Sequence, residues 1–301
     1  MKPIEKRIRD LLKEKRAIML AHNYQPSEIQ DLADLCGDSL ELSIKASQTD
    51  AEVIVVCGVS FMAETASILS PTKTVLLPRH DAGCPMADTV TPEALKARIA
   101  ELLPMPVVTY VNSTAAVKAL STICCTSANV VNVVNSLEED EALMVPDQNL
   151  ARFAQGHTTK RLHLWNGCCP IHDRLTPADI QAAKAAHPEA EVMVHPECRP
   201  EVVALADAVV STSGMIRHAG ASDAREFIVA TEVGLLHPLK KSHPDKAFFP
   251  ASTAMVCPDM KKITLEDVAR SLERMEGEVK VPPEIQAPAL KAVQRMVDLA
   301  R

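Results

Sequence analysis

Aromatic side chains make up only 3% of this 301-residue chain, glycine occurs nine times, and no two cysteines stand in a Cys-x-x-Cys pair. Each scarcity excludes something. Sparse glycine and the lack of a low-complexity tether argue for units in rigid contact rather than modules on flexible linkers. No apolar run approaches the roughly 18 residues of a membrane span, and the opening MKPIEKRIRDLLKEKR interrupts the apolar stretch a secretory signal needs. A cytoplasmic location and no membrane partner are the expectations. A formal charge of −7, with no basic run interleaved with aromatics, argues against a nucleic-acid partner. Nine cysteines without an export signal read as thiols or metal ligands rather than a disulfide framework.

What is present is ordinary globular composition, 47% hydrophobic and 24% charged, long enough for two or three compact units. Those units are visible as a repeat. Cys84-Pro85, Cys169-Pro170 and Cys257-Pro258 are the only Cys-Pro pairs, spaced 85 and 88 positions apart. Seven residues after each cysteine stands a threonine (Thr91, Thr176, Thr264), preceded by an aliphatic residue (Val90, Leu175, Ile263). Each threonine reads as a helix N-cap, with the aliphatic residue as half of a hydrophobic staple. Upstream, a second segment recurs: an apolar strand, a His or Asn, a helix, another strand and a hydroxyl residue. Its copies carry His22 and Ser39, Asn112 and Ser127, and His195 and Thr212.

Two more strands complete each copy (EVIVVCG and TVLLP; EALMVP and RLHLW; EFIVAT and KAFFP). Alternating strands and helices predict parallel sheet. The expected fold is therefore α/β: three similar three-layer α/β/α units with parallel four-stranded sheets, related by pseudo-threefold symmetry around a central site. Expected boundaries are 1–90 with a leading helix from Ile4 to about Lys15, 91–175, 176–263, and closing helices in 264–301. Functional residues of parallel units collect at strand carboxyl ends, which is where His22, Asn112, His195 and the cysteine loops fall.

Three cysteines at equivalent repeat positions point to one shared site. A closed zinc or electron-transfer site usually has four protein ligands. Three widely spaced thiolates suit a 4Fe-4S cluster whose fourth iron is open and acts as a Lewis acid. Zinc on the same cysteines, forming a hydrolase centre, is an alternative. The repeat selects Cys169 over its neighbour Cys168 and leaves Cys36, Cys57, Cys124, Cys125, Cys168 and Cys198 as packing or supporting thiols.

The chain resembles the quinolinate synthase family in AHNYQPSEIQDLADLCGDSLELS, GVSFMAETASIL, YVNSTAAVKA, TSANV, HPECRPEV, STSGMI and MVCPDMKKITLEDV. The resemblance runs nearly end to end. It implies three pseudo-symmetric α/β units and a 4Fe-4S cluster bound through Cys84, Cys169 and Cys257. It also implies condensation of iminosuccinate with dihydroxyacetone phosphate to quinolinate, with loss of phosphate and two waters. An aspartate oxidase or dehydrogenase would supply the iminosuccinate. Cys168 in NGCCPIH departs from the family pattern and raises the question of a ligand swap.

Tyr24 and Glu197 are the candidate acid-base pair, with His22 and His195 as proton-transfer or hydrogen-bonding groups. The candidate substrate contacts are His22, Ser39, Tyr110, Val111, Asn112, Ser127, His195, Pro196, Glu197 and Thr212. Bland readings stand beside these. Ser39, Ser127 and Thr212 could merely cap helices, and either histidine could be structural. Met62, Glu64, Met215 and Lys261 read as packing or pairing residues, and the remaining histidines, His172 among them, as surface or structural ones. Other enzymes on an open-iron cluster, such as a hydro-lyase, and a non-enzymatic iron-sulfur sensor would share the same cysteines.

Overall fold

A computed structural model describes residues 2–102 and 104–299. Its strands form three parallel four-stranded sheets. The first holds β1 (Ala17–His22), β2 (Leu35–Gly37), β3 (Val53–Cys57) and β4 (Thr74–Leu76) in the order β2-β1-β3-β4. The second holds β5 (Val107–Tyr110), β6 (Ile123–Cys125), β7 (Glu141–Val145) and β8 (Arg161–Leu164), ordered β6-β5-β7-β8. The third holds β9 (Glu191–Val194), β10 (Ala208–Val209), β11 (Glu226–Ala230) and β12 (Ala247–Pro250), ordered β10-β9-β11-β12. One topology is thus used three times. Parallel neighbours cannot be joined by tight turns, so helices make every crossover and cover both sheet faces. The central β3, Val-Ile-Val-Val-Cys, is accordingly buried at every position.

The threonine caps form as the repeat predicts. Thr91, Thr176 and Thr264 accept the backbone N–H of Ala94, Asp179 and Asp267, and the last two aspartates return a bond to the cap. Each cap contributes about 1 kcal/mol. Val90, Leu175 and Ile263, just before them, are buried.

The helices Pro92–Glu101 and Pro177–Ala186 each precede the next sheet in the chain. The third equivalent, Leu265–Arg274, precedes no further sheet among the described residues and packs on the leading helix Pro3–Glu14. The final helix Pro283–Asp298 packs on β6, on Ala115–Lys118 and on Ser60–Leu69, riveting the first sheet's layer to the second's. The largest buried apolar cluster includes residues of all three sheets. Among the described residues, no helix is long and apolar enough to cross a membrane.

Candidate functional site

The equivalent strands β1, β5 and β9 end on His22, Tyr110 and Val194, so His22, Asn112 and His195 sit at or just beyond their carboxyl ends. His22 Nδ1 accepts the N–H of Tyr24 at 3.1 Å, and His195 Nδ1 accepts that of Glu197 at 3.3 Å. An Nδ1 that accepts leaves the proton on Nε2. Burial pulls His22 down to about 3 against the attraction of Glu197, with Lys261 lowering it further. The same burial brings His195 to about 3, again opposed by Glu197 and aided by His172 and His22. At neutral pH both rings are therefore neutral N–H donors.

A small polar pocket of about 40 Å³ gathers His22, Tyr24, Ser39, Tyr110, Asn112, Ser127, His195, Glu197 and Thr212. Val111 and Pro196 are buried but lie outside its lining, Val111 facing an apolar recess instead. Ser39 and Thr212 are not caps. Asp38 accepts the N–H groups of Leu40 and Glu41, and Ser211 accepts that of Gly214, so in these two copies capping falls one residue earlier. This leaves the Ser39 and Thr212 hydroxyls at the pocket wall, where Thr212 Oγ1 takes a bond from Asn23 at 2.9 Å.

Beside the pocket lies a cavity of about 470 Å³ lined by Cys84, Cys169 and Cys257 together. Tyr24, Phe61, Asn112, Glu197 and Met260 line both spaces. Asn112 Oδ1, in that shared wall, is buried without a hydrogen-bond partner. None of the other six cysteines lines the cavity; Cys168 lies beside Asp173 and Cys36 bonds toward Asn23 and Gln30.

The cysteine loops suit a soft, positively charged group. Each sulfur receives backbone N–H groups from two or three residues downstream: Met86 and Ala87, His172, and Asp259 and Met260. Such donors favour thiolate. Burial works the other way, pushing Cys84 up to about 12 and raising Cys169 and Cys257. Three thiolates are stable here only beside a strongly positive partner, which iron supplies. The donor set therefore fits a cluster.

His172, read from the sequence as structural, is at the centre of the site. It has no repeat partner, since Ala87 and Met260 occupy its equivalent positions, so only its place three residues after Cys169 hinted at a role. Its Nε2 lies 2.8 Å from Thr231 Oγ1, and Thr231 Oγ1 lies 2.5 Å from the Tyr24 hydroxyl. Its Nδ1 lies 2.8 Å from Glu197 and 3.2 Å from Cys169 Sγ. Thr231 was likewise missed. Cys169, His172 and Glu197 bring their ligand atoms within 4.8 Å of one another.

Glu197 is buried, and burial pushes its carboxyl up. The attraction of His172 and His195 and hydrogen bonds from His172 and Tyr110 outweigh that and bring it to about 2. Tyr24 is raised by burial and by Glu197, so it rests as a phenol. Geometry thus orders a chain: Tyr24 O–H to Thr231, Thr231 O–H to His172 Nε2, His172 Nδ1–H to the Glu197 carboxylate.

Comparison with known proteins gives one family across nearly the whole chain. The family model described as quinolinate synthetase A protein matches residues 6–298. A quinolinate synthase of Geobacter sp. (strain M21) is 55% identical over 98% of this chain and 97% of its own length. One from Geotalea uraniireducens (strain Rf4) is 55% identical over 99% and 98%, and one from Methanoregula boonei (strain DSM 21154 / JCM 14090 / 6A8) is 53% identical over 98% of each. With the match spanning all three sheets and every cysteine loop, the chain belongs to the quinolinate synthetase A protein family.

Proposed function

We propose that this enzyme is a cytoplasmic quinolinate synthase of NAD biosynthesis. It condenses iminosuccinate, supplied by an aspartate oxidase or dehydrogenase, with dihydroxyacetone phosphate, releasing phosphate and two waters. Cys84, Cys169 and Cys257 hold a 4Fe-4S cluster. When bound, that group supplies Lewis acidity at an iron without a protein ligand, as the loss of hydroxyl groups as water requires. The observation that carries the reading is the meeting of three repeat-equivalent cysteines in a cavity whose wall is shared with the polar pocket.

The chain's own residues supply the rest. Neutral Nε2–H donors on His22 and His195, with the hydroxyls of Ser39, Ser127 and Thr212, bind carboxylate and phosphate oxygens. Asn112 Oδ1, unpaired in the shared wall, accepts a substrate N–H or O–H. Tyr24 acts as base by passing its proton through Thr231 to His172, and the resulting imidazolium is held by the Glu197 carboxylate, the division of labour of a Ser-His-Asp triad. The same path returns the proton to the departing hydroxyl. Val111 and Pro196 set the backbone beside Asn112 and Glu197.

The clustering of Cys169, His172 and Glu197 favours one second reading, a mononuclear metal centre on those three groups. One experiment separates the two. Anaerobically reconstituted protein, given iminosuccinate and dihydroxyacetone phosphate, is assayed for quinolinate by chromatography. Product in the iron-sulfur form supports the proposal; a loaded protein that makes none sinks it, and zinc as the native metal favours the second reading.

A further inference from the structure

Tyr24 is gripped at both ends by neighbouring residues of the third sheet's unit. Its hydroxyl meets Thr231, and its backbone carbonyl accepts a bond from Lys261 Nζ. Lys261 also pairs with Glu232, the residue after Thr231, at 2.9 Å. Glu232 is 1% exposed, and its carboxylate accepts the backbone N–H of Cys257 at 3.2 Å and that of Gly234 at 2.7 Å. Gln25, next to Tyr24, donates to the Met260 carbonyl at 2.8 Å, just before Lys261. Gly234 is what lets these groups converge. A Cβ there would stand 2.7 Å from Lys261 Nζ, 2.8 Å from Glu232 Oε2 and 2.8 Å from the Tyr24 carbonyl oxygen. A buried carboxylate is retained where its charge is paired and its lone pairs are filled; Glu232 meets both conditions through Lys261, Cys257 and Gly234, and Lys261 carries the link on to the Tyr24 carbonyl.

We propose that Glu232 and Lys261 are positioning residues, a clasp that couples the placement of the Cys257 loop to the placement of Tyr24. The inference rests on the reading of Cys257 as a cluster ligand and Tyr24 as the proton-transfer group. Filling the cysteine cavity orders the Cys257 loop; through Glu232 and Lys261 the same event fixes the Tyr24 carbonyl and sets its hydroxyl on Thr231. Neither residue is asked to exchange a proton.

The test is hydrogen exchange followed by mass spectrometry on anaerobic full-length protein, apo and cluster-loaded, for wild type, Lys261→Met and Gly234→Ala. In wild type, loading slows exchange in both segments 251–262 and 22–30. In Lys261→Met it still slows 251–262, but the slowing in 22–30 falls by at least half. The same variant loses about tenfold in kcat, with KM for both substrates within twofold, the pattern of lost alignment rather than lost binding. Equal slowing of segment 22–30 in wild type and Lys261→Met overturns the clasp, as does a raised KM at unchanged kcat. Should Lys261→Met fail to fold, Gly234→Ala, which keeps both charges but forces them apart, decides by the same comparison. Wild-type protein that takes up no iron and sulfide overturns the functional reading and the clasp with it; loaded wild type beside an unaffected variant overturns the clasp alone.

Discussion

Thr231→Val removes one hydroxyl and almost no volume, yet that hydroxyl joins Tyr24 to His172. Thr231 is 1% exposed, with its Oγ1 2.5 Å from the Tyr24 hydroxyl and 2.8 Å from His172 Nε2. The substitution leaves both partners buried and unpaired, at a cost of about 1–3 kcal/mol each. A fall in melting temperature on the order of 3–10 °C follows from about 2–6 kcal/mol in a chain of this size. Its kinetic effect is larger. If Tyr24 loses its proton only through Thr231, kcat falls by about 10² or more, the usual contribution of a positioned acid or base, while KM stays within a few fold. The assay is quinolinate formation by reconstituted enzyme, with Tyr24→Phe and the double variant alongside. Residues acting as one unit are strongly non-additive. The double variant should therefore be no slower than Tyr24→Phe alone, and losses that multiply would refute the relay.

Other consequences are independent of it. His22 and His195 have folded pKa values near 3 against an unfolded value of 6.5, so between those limits the unfolded chain binds more protons and stability rises with pH. The contribution is complete above about pH 6.5 and is lost as pH falls toward 3, at about 1.4 kcal/mol per unit for each ring. Urea midpoints should drop steeply from pH 7 to 5, and a His22→Gln, His195→Gln double variant should flatten that slope; an unchanged slope counts against buried neutral rings. Asp38→Ala removes a cap and should cost about 1 kcal/mol in chemical denaturation, whereas Ser39→Ala should leave stability unchanged and raise KM severalfold. The reverse assignment of these two effects would contradict the site geometry. Cys168→Ser should keep the reconstituted absorbance of wild type, and its loss would revive a ligand swap.

The architecture was legible because each sheet's unit repeats the same local signals. Cys-Pro, a buried aliphatic residue and a capping threonine recur at fixed offsets, and helix and strand periods alternate in step. Strand ends follow from that pattern, and with them the places of His22, Asn112 and His195. What escaped was pairwise and long-range. His172 has no repeat partner, and its meaning comes from Thr231, 59 positions away. Ser39 and Thr212 could not be told from caps, because Asp38 and Ser211 beside them cap equally well by composition. The helix Leu265–Arg274 shows an apolar face in the sequence, but amphipathicity does not name the surface it covers, here the leading helix.

If three cysteines from three units hold one iron-sulfur cluster, chemical analysis of the protein must find it. Iron and acid-labile sulfide are measured in anaerobically purified wild type and in single serine variants of all nine cysteines. The account predicts about four of each per wild-type chain, as a 4Fe-4S cluster requires. It further predicts collapse in Cys84→Ser, Cys169→Ser and Cys257→Ser and retention in the other six. One zinc per chain with no sulfide, or a cluster that survives loss of any of those three cysteines, would contradict it.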